Sequence, residues 1–173
     1  MLAIKNPRNG QRVYVKSYYA GHNKGGGTFV YDATKSSIND DGVIINGWVR
    51  QVNNFITPCM FGAYADDSTN DVAYIQKAMD FSVLNKKELH FEGYKYVVSR
   101  TTFTSDYMQD LLLIKGGIKM VGNGASIRID QKNAPNAQKL INLFRPLRPN
   151  GYSDSNYSLI IDKIEISGFT FDG

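Results

Sequence analysis

Hydrolysis of a glycosidic bond takes two carboxylates facing each other across it, so the acidic residues come first. The candidates are Asp40/Asp41, Asp66/Asp67, Asp106/Asp110, Asp154, Asp162 and Glu165. Asp40-Asp41-Gly42 reads as a turn, Asp66 and Asp67 precede a helix start, and Asp162 and Glu165 flank a strand. No pair stands out beyond such a structural task. Lyase chemistry wants a base, often assisted by calcium, and no aspartate cluster has metal-ligand spacing. His22 and His90 lack any Cys or carboxylate at zinc-like spacing. Cys59, the only cysteine, lies between Pro58 and Met60 and reads as a small buried apolar group, with no internal disulfide. Lys24 precedes Gly25-Gly26-Gly27, whereas a phosphate-cradling loop has its lysine after the glycines and opens a helix; Thr28 opens a strand. These glycines are read as a tight reversal or a close backbone approach. The expectation is no catalytic residue, no metal ligand and no cofactor.

The elements around these residues are mostly strands. Arg12–Lys16, Thr28–Tyr31, Val43–Ile45 and Trp48–Val52 are short β-prone runs separated by Asn9-Gly10, the glycine run, Asp40-Asp41-Gly42 and Asn46-Gly47. Thr57-Pro58 marks a junction. Val72, Ile75, Met79 and Ser82 or Val83 then fall three and four apart, which predicts a helix over about Thr69–Val83 with one buried face. Ser68 and Asp71 form a capping-box pattern, and Thr69 and Asn70 are equally able caps. Burying Val72, Ile75 and Met79 contributes roughly 1.5–3 kcal/mol each, far more than a cap, so the helix covers something. Leu89 and Phe91 alternate with His90 and Glu92, and Tyr94, Tyr96 and Val98 continue beyond Gly93.

Strands interrupted by polar breaks follow, including Leu111–Ile114, Ile118–Val121, Ser126–Asp130 and Leu140–Phe144. Ile118-x-Met120-x-Gly122 returns as Ile164-x-Ile166-x-Gly168, an offset of 46 residues that reads as two solenoid turns of about 23. The polar stretches Thr101–Asp110, Gln131–Lys139 and Arg145–Tyr157 read as loops projecting from the coils. Their Tyr107, Tyr152 and Tyr157 pack locally, with stacking on a sugar face as the alternative. A solenoid that stops at Gly173 without a polar cap implies that the natural protein continues.

Composition sets the bounds. The chain has 173 residues, 42% hydrophobic and 21% charged, which supports a packed core. No apolar run approaches the length of a membrane span. Residues 1–55 hold seven basic and three acidic residues, while the remainder balances. The basic residues are scattered singly, which reads as a solvated surface rather than a nucleic-acid footprint.

Two stretches carry a resemblance. Phe61-Gly62-Ala63, the Asp-rich turn, the helix with Ala73-x-Ile75-Gln76-x-Ala78-Met79-Asp80, and Leu89–Val98 resemble the opening of the pectate-lyase-like right-handed β-helix superfamily, although Glu92 stands where that family usually has a proline. In that family the helix caps the N-terminal end of the solenoid. Gly10-x-Arg12-Val13, Tyr18-Tyr19-Ala20-Gly21, Lys24-Gly25-Gly26-Gly27-x-Phe29-Val30-Tyr31-Asp32 and Gly47-Trp48-Val49-Arg50 are similar to the segment preceding the β-helix in tailspikes of tailed bacteriophages and prophages. The resemblance implies a mainly β fold: a small virion-proximal β module over residues 1–55, then a helix-capped, truncated start of a right-handed parallel β-helix over 56–173.

By the same resemblance the chain is the N-terminal portion of a receptor-binding tailspike. Such a protein adsorbs to a bacterial surface polysaccharide, capsule or O-antigen, with any depolymerase activity carried downstream. The implied partners are two further copies in a homotrimer, other tail or baseplate proteins, and the polysaccharide, with no nucleic acid and no membrane insertion. The implied location is the virion, after assembly in the host cytoplasm. The aromatics Tyr14, Tyr18, Tyr19, Phe29, Tyr31, Trp48 and Phe55 are many for a small module and suggest that self-association covers some of them. A secreted pectate-lyase-like enzyme fragment and a structural tail adaptor are the alternatives.

Overall fold

The computed structural model describes residues 4–99, 108–130, 140–146 and 163–172. Asp106, Tyr107, Tyr152, Asp154, Tyr157 and Asp162 lie outside the described residues. Met108–Asp110 and Arg145–Pro146, expected in loops, belong instead to strands.

Four short strands form an antiparallel sheet: β1 (Arg12–Val15), β2 (Gly27–Tyr31), β3 (Ile44–Ile45) and β4 (Trp48–Arg50), in the order β1-β2-β4-β3. Asn46 and Gly47 both take positive φ, 48° and 87°, and turn β3 into β4 as Asn-Gly pairs do. Phe29 and Trp48 are buried at its centre together with the charged Arg50.

From Phe55 on, the chain winds into parallel coils. β5 (Phe55–Ile56) lies beside β7 (Glu88–His90), and β6 (Asp66–Asn70) beside β8 (Lys95–Val98). Both β7 and β8 pair with β10 (Lys119–Ile129), Leu89 facing Met120 and Tyr96 facing Ile127, so that coil takes 31 residues on both sides. β9 (Met108–Ile114) and β11 (Leu140–Pro146) form the remaining side. Finally β12 (Glu165–Asp172) lies parallel to β10. Here the expectation of two short turns needs correcting. Met120 is in register with Ile166, and the Glu165 N–H donates to the Ile118 carbonyl at 3.0 Å, so 46 residues make one coil. Between β9 and β10 only residues 115–118 intervene, whereas residues 147–164 separate β11 from β12. The extra length sits there.

Each coil turns a corner at glycine. Asn123, Gly124 and Gly168 have positive φ, and a Cβ on Gly122 would overlap the Gly168 carbonyl of the next coil. Inside the corners, side chains stack in ladders. Leu89 and Met120 are fully buried and lead to Ile166; Tyr96 and Ile127 are fully buried and lead to Phe171. Each fully buried member contributes roughly 1.5–3 kcal/mol.

The helix α1 (Val72–Asn85) occupies the first coil in place of its third strand and packs on β9, β7 and β5. Ile75, Ala78, Met79 and Ser82 are its buried face, as its periodicity predicts. Its Gln76 does the work of a missing strand: the side-chain amide donates to the Leu113 carbonyl at 3.0 Å and accepts the Leu113 N–H at 2.8 Å. Asn70 does the same for Ser99, at 2.8 and 3.1 Å. Both amides close strand ends that would otherwise expose unpaired backbone groups.

The start of the helix differs from the expected Thr69. Ser68 and Thr69 lie in β6, where the Asp66 carboxylate accepts their N–H groups at 3.0 and 2.7 Å. No capping box forms. Asn70 Oδ1 accepts the Val72 N–H at 3.2 Å, while Asp71 occupies the N-cap position with its carboxylate turned elsewhere. A local hydrogen-bonded loop around Asp66 out-competes the helix for these residues.

Candidate functional site: the junction between the small sheet and the helix cap

The polar groups that the fold gathers lie where the small sheet meets the first coil. The Asp71 side chain is fully buried, and its two oxygens accept the N–H groups of Tyr64, at 2.7 Å, and Ala65, at 3.0 Å. The carbonyls of the same two residues accept the Lys24 ammonium, at 2.9 and 2.7 Å. The backbone of Tyr64 and Ala65 thus stands between a cation from the loop before β2 and an anion from the helix start. Lys24 also lies 4.4 Å from the centre of the Tyr94 ring, a cation–π geometry. Burial raises the Asp71 carboxyl to about 6, although the hydrogen bonds from Tyr64 and Ala65 favour its charged form.

Around this link the surfaces fit closely. A Cβ on Gly25 would overlap the Cys59 carbonyl, and one on Gly42 would overlap the Phe61 ring, so glycine is required at both. The glycine run is therefore a close backbone approach, as its composition predicts. Tyr19 stacks on Tyr64 with centroids 4.4 Å apart, and Lys77 on α1 pairs with Asp41 at 2.7 Å. Behind the glycines Arg50 is buried, and no carboxylate among the described residues binds it. Its Nε donates to the Gly42 carbonyl at 2.9 Å, one Nη to Gly25 at 3.1 Å and the other to Gly26, and it lies 4.5 Å from the Phe29 ring. Burial lowers it to about 10, opposed by nearby Asp40. A pocket of about 490 Å³ opens beside it, lined by Val15, Tyr18, Phe29, Asp41 and Ile45.

The acidic candidates whose side chains are described have structural partners. Asp40 Oδ1 accepts from the N–H groups of Gly42, Val43 and Ile44, forming the expected turn. The hydrogen bonds from Thr69 and Ser68 outweigh a burial penalty and hold Asp66 down at about 2. Asp67 pairs with Arg128 and Lys95, and Glu165 with Lys163. Among the described residues no group of three His, Cys, Asp or Glu side chains could hold a metal, and no helix is long and apolar enough to cross a membrane. Burial pushes the Cys59 thiol up to about 12, which makes it a poor nucleophile.

The sequence did not single out Lys24, Arg50, Asp71 or Gln76 for these tasks. Their partners are mostly backbone carbonyls and N–H groups, which leave no residue-type signature. The aromatics of the small module also find partners within the chain. Phe29 and Trp48 are buried, Tyr31 lies against Trp48, Tyr18 and Tyr19 contact each other and the junction, and Phe55 stacks on His90. Only Tyr14 of the seven stands largely free, 76% exposed.

Residues 1–53 match the family described as the phage tail protein small four-stranded beta-sheet domain. That match covers the small sheet, and the chain as a whole has a tailspike-like fold. It is 36% identical over 93 residues to the Mu-like prophage FluMu defective tail fiber protein of Haemophilus influenzae, covering 48% of this chain and 15% of that one. The gp42 tailspike of Acinetobacter phage vb_AbaP_AS12 superposes with a TM-score of 0.60 at 20% identity, over 99% of this chain and 30% of that one. The gp49 tailspike of Acinetobacter baumannii bacteriophage Fri1, a capsular polysaccharide depolymerase, gives 0.51 at 15% identity, over 83% and 35%. The chain thus spans about a third or less of each. At such identities the two tailspikes share its fold.

Proposed function

We propose that this chain is the virion-proximal portion of a receptor-binding tailspike: residues 1–55 face the tail, and residues 56–173 begin the β-helix. The whole protein adsorbs to a bacterial capsule or O-antigen, and any depolymerase chemistry lies downstream of these residues. The observation that carries this reading is the junction. A sheet matching a phage tail family is tied through Lys24, Tyr64, Ala65 and Asp71 to a helix-capped coil of tailspike-like fold. Such a junction transmits the orientation of the tail to the β-helix. The intact protein is a homotrimer assembled in the host cytoplasm. Support for the trimer comes from the tailspike likeness, since the aromatics of the small module do not require a second copy.

The described candidates Asp40, Asp41, Asp66, Asp67 and Glu165 support an inactive fragment, because each has a structural partner. The test measures adsorption and cleavage together. The full spike should block phage adsorption to encapsulated or O-antigen-bearing cells, and the 173-residue chain alone should release no reducing ends and no unsaturated sugar. Sugar release by the chain alone would place the active site within it and overturn this division of labour.

A further inference from the structure

The free edge of the small sheet has the properties of a docking strand. β1 is an outer strand of the order β1-β2-β4-β3, with β2 on one side and, among the described residues, no strand on the other. The Tyr31 N–H donates to the Gln11 carbonyl at 2.8 Å, and Val13 and Val15 stand opposite Phe29 and Gly27. The alternation of an antiparallel ladder therefore turns the N–H and C=O of Arg12 and Tyr14 toward the open edge. The side chains of Arg12 and Tyr14 share one face, Lys16 follows directly after the strand, and all three are exposed. That face continues through half-buried Val30 and Val49, which stand in register with Arg12 and with each other.

The charges on this edge are uncompensated by carboxylates of the described residues. Lys35, Lys77, Lys95, Lys115, Lys119, Arg128 and Lys163 each pair with a carboxylate. Arg8, Arg12 and Lys16 have no such partner among the described residues. Cations on an edge strand commonly serve to repel other strands. An aromatic ring exposed at 76% in the middle of the same strand is no repelling device. An exposed tyrosine among cations is what a recognition surface offers, with the ring as anchor and the charges choosing the partner.

We infer that the β1 edge binds an extended acidic segment of a second tail protein, which adds to the small sheet as a fifth strand. The segment carries carboxylates at alternate positions to meet Arg12 and Lys16, with Arg8 beyond them, and a small or β-branched residue against Tyr14. This inference rests on the tail-facing role proposed for residues 1–55 and specifies the surface that performs it. Addition of a strand to a sheet edge draws affinity from main-chain hydrogen bonds and selectivity from alternate side chains.

Two arms test it. In the first, the 15N-labelled chain is titrated with a peptide alternating glutamate and valine and with one alternating lysine and valine. The glutamate peptide should shift the amides of Arg12–Lys16 and weaken as salt is added. Tyr14→Pro removes one edge N–H without touching the ladder to β2 and should lower affinity at least about tenfold. Tyr14→Ser keeps the N–H and should lower it less, and Arg12→Glu with Lys16→Glu should reverse the peptide preference. Equal binding of both peptides, shifts elsewhere, or binding indifferent to Tyr14→Pro overturns the inference. So does self-association of the chain abolished by Tyr14→Pro, which would make the occupant a second copy.

In the second arm, virions are assembled with the wild-type full-length spike or with its Arg12→Glu/Lys16→Glu variant. Loss of spikes only with the variant is expected. Equal loading overturns the docking edge alone. Absence of the wild-type spike from virions overturns the tail reading beneath it.

Discussion

In the small sheet the buried centre is Phe29, Trp48 and a guanidinium held by three carbonyls; in the coils it is the ladders Leu89–Met120 and Tyr96–Ile127. The sheet has strands of two to five residues, too short to bury much apolar surface, so charge-assisted hydrogen bonds from Arg50 tie its loops together. The coils repeat one register, and each rung buries the rung before it. What the coils lack is a natural end. The helix α1 provides it, with apolar cover from Ile75 and Met79 and with Gln76 standing in for a strand. Damage to the sheet should therefore stay local and be driven by polar loss. Damage to the coils should spread along the ladder.

The largest effect is expected in the cap. Ile75→Asp buries an unpartnered charge beneath the helix and should cost more than about 4 kcal/mol, enough to unfold the cap and the coil under it. Circular dichroism during heating measures this, and an unchanged melting temperature would show that the helix is not a lid. Arg50→Met should cost about 3–5 kcal/mol by leaving the carbonyls of Gly25, Gly26 and Gly42 unpaired. Hydrogen exchange should then accelerate in β1–β4 while amides of β7, β8 and β10 keep their protection. Uniform acceleration in both regions would erase the distinction drawn between them.

Asp71 stands at the boundary. Its folded pKa, about 6, lies above the ordinary carboxylate value of 3.8. The folded state thus binds the extra proton, so the stability from this group is fully present below about pH 4 and is lost as pH rises through 6. Chemical denaturation from pH 4 to 6.5 should show wild type losing about 1–3 kcal/mol relative to Asp71→Asn. A flat difference would mean that the hydrogen bonds from Tyr64 and Ala65 cancel the burial. The smallest effect belongs to Gln76→Leu, about 1–2 kcal/mol, from two orphaned groups at Leu113. Faster exchange of the Leu113 amide reads it directly, and no change there would remove Gln76 from its strand-like role.

Much of the fold is legible because apolar periodicity reports which face is buried. Val72, Ile75 and Met79 announce the helix, and the Ile118/Ile164 echo announces stacked strands. The helix start is not legible, because Ser68, Thr69, Asn70 and Asp71 are all able caps and only the loop around Asp66 decides among them. Nor is the coil count. A sequence offset of 46 fits one long coil as well as two short ones, and the hydrogen bond from Glu165 to Ile118 decides. The junction is least visible of all. Lys24 precedes glycines as a failed phosphate loop would, and its real acceptors are carbonyls forty residues away in sequence.

The central claim is that the small sheet faces the tail and the coils lead away from it. Electron microscopy of virions bearing the full spike, with a gold label coupled to a cysteine at exposed His22 in a Cys59→Ala background, tests this most directly. The account places the label at the tail end of every spike, with the β-helix projecting outward from it. A label at the distal tip, or along the side of the projecting body, would contradict it.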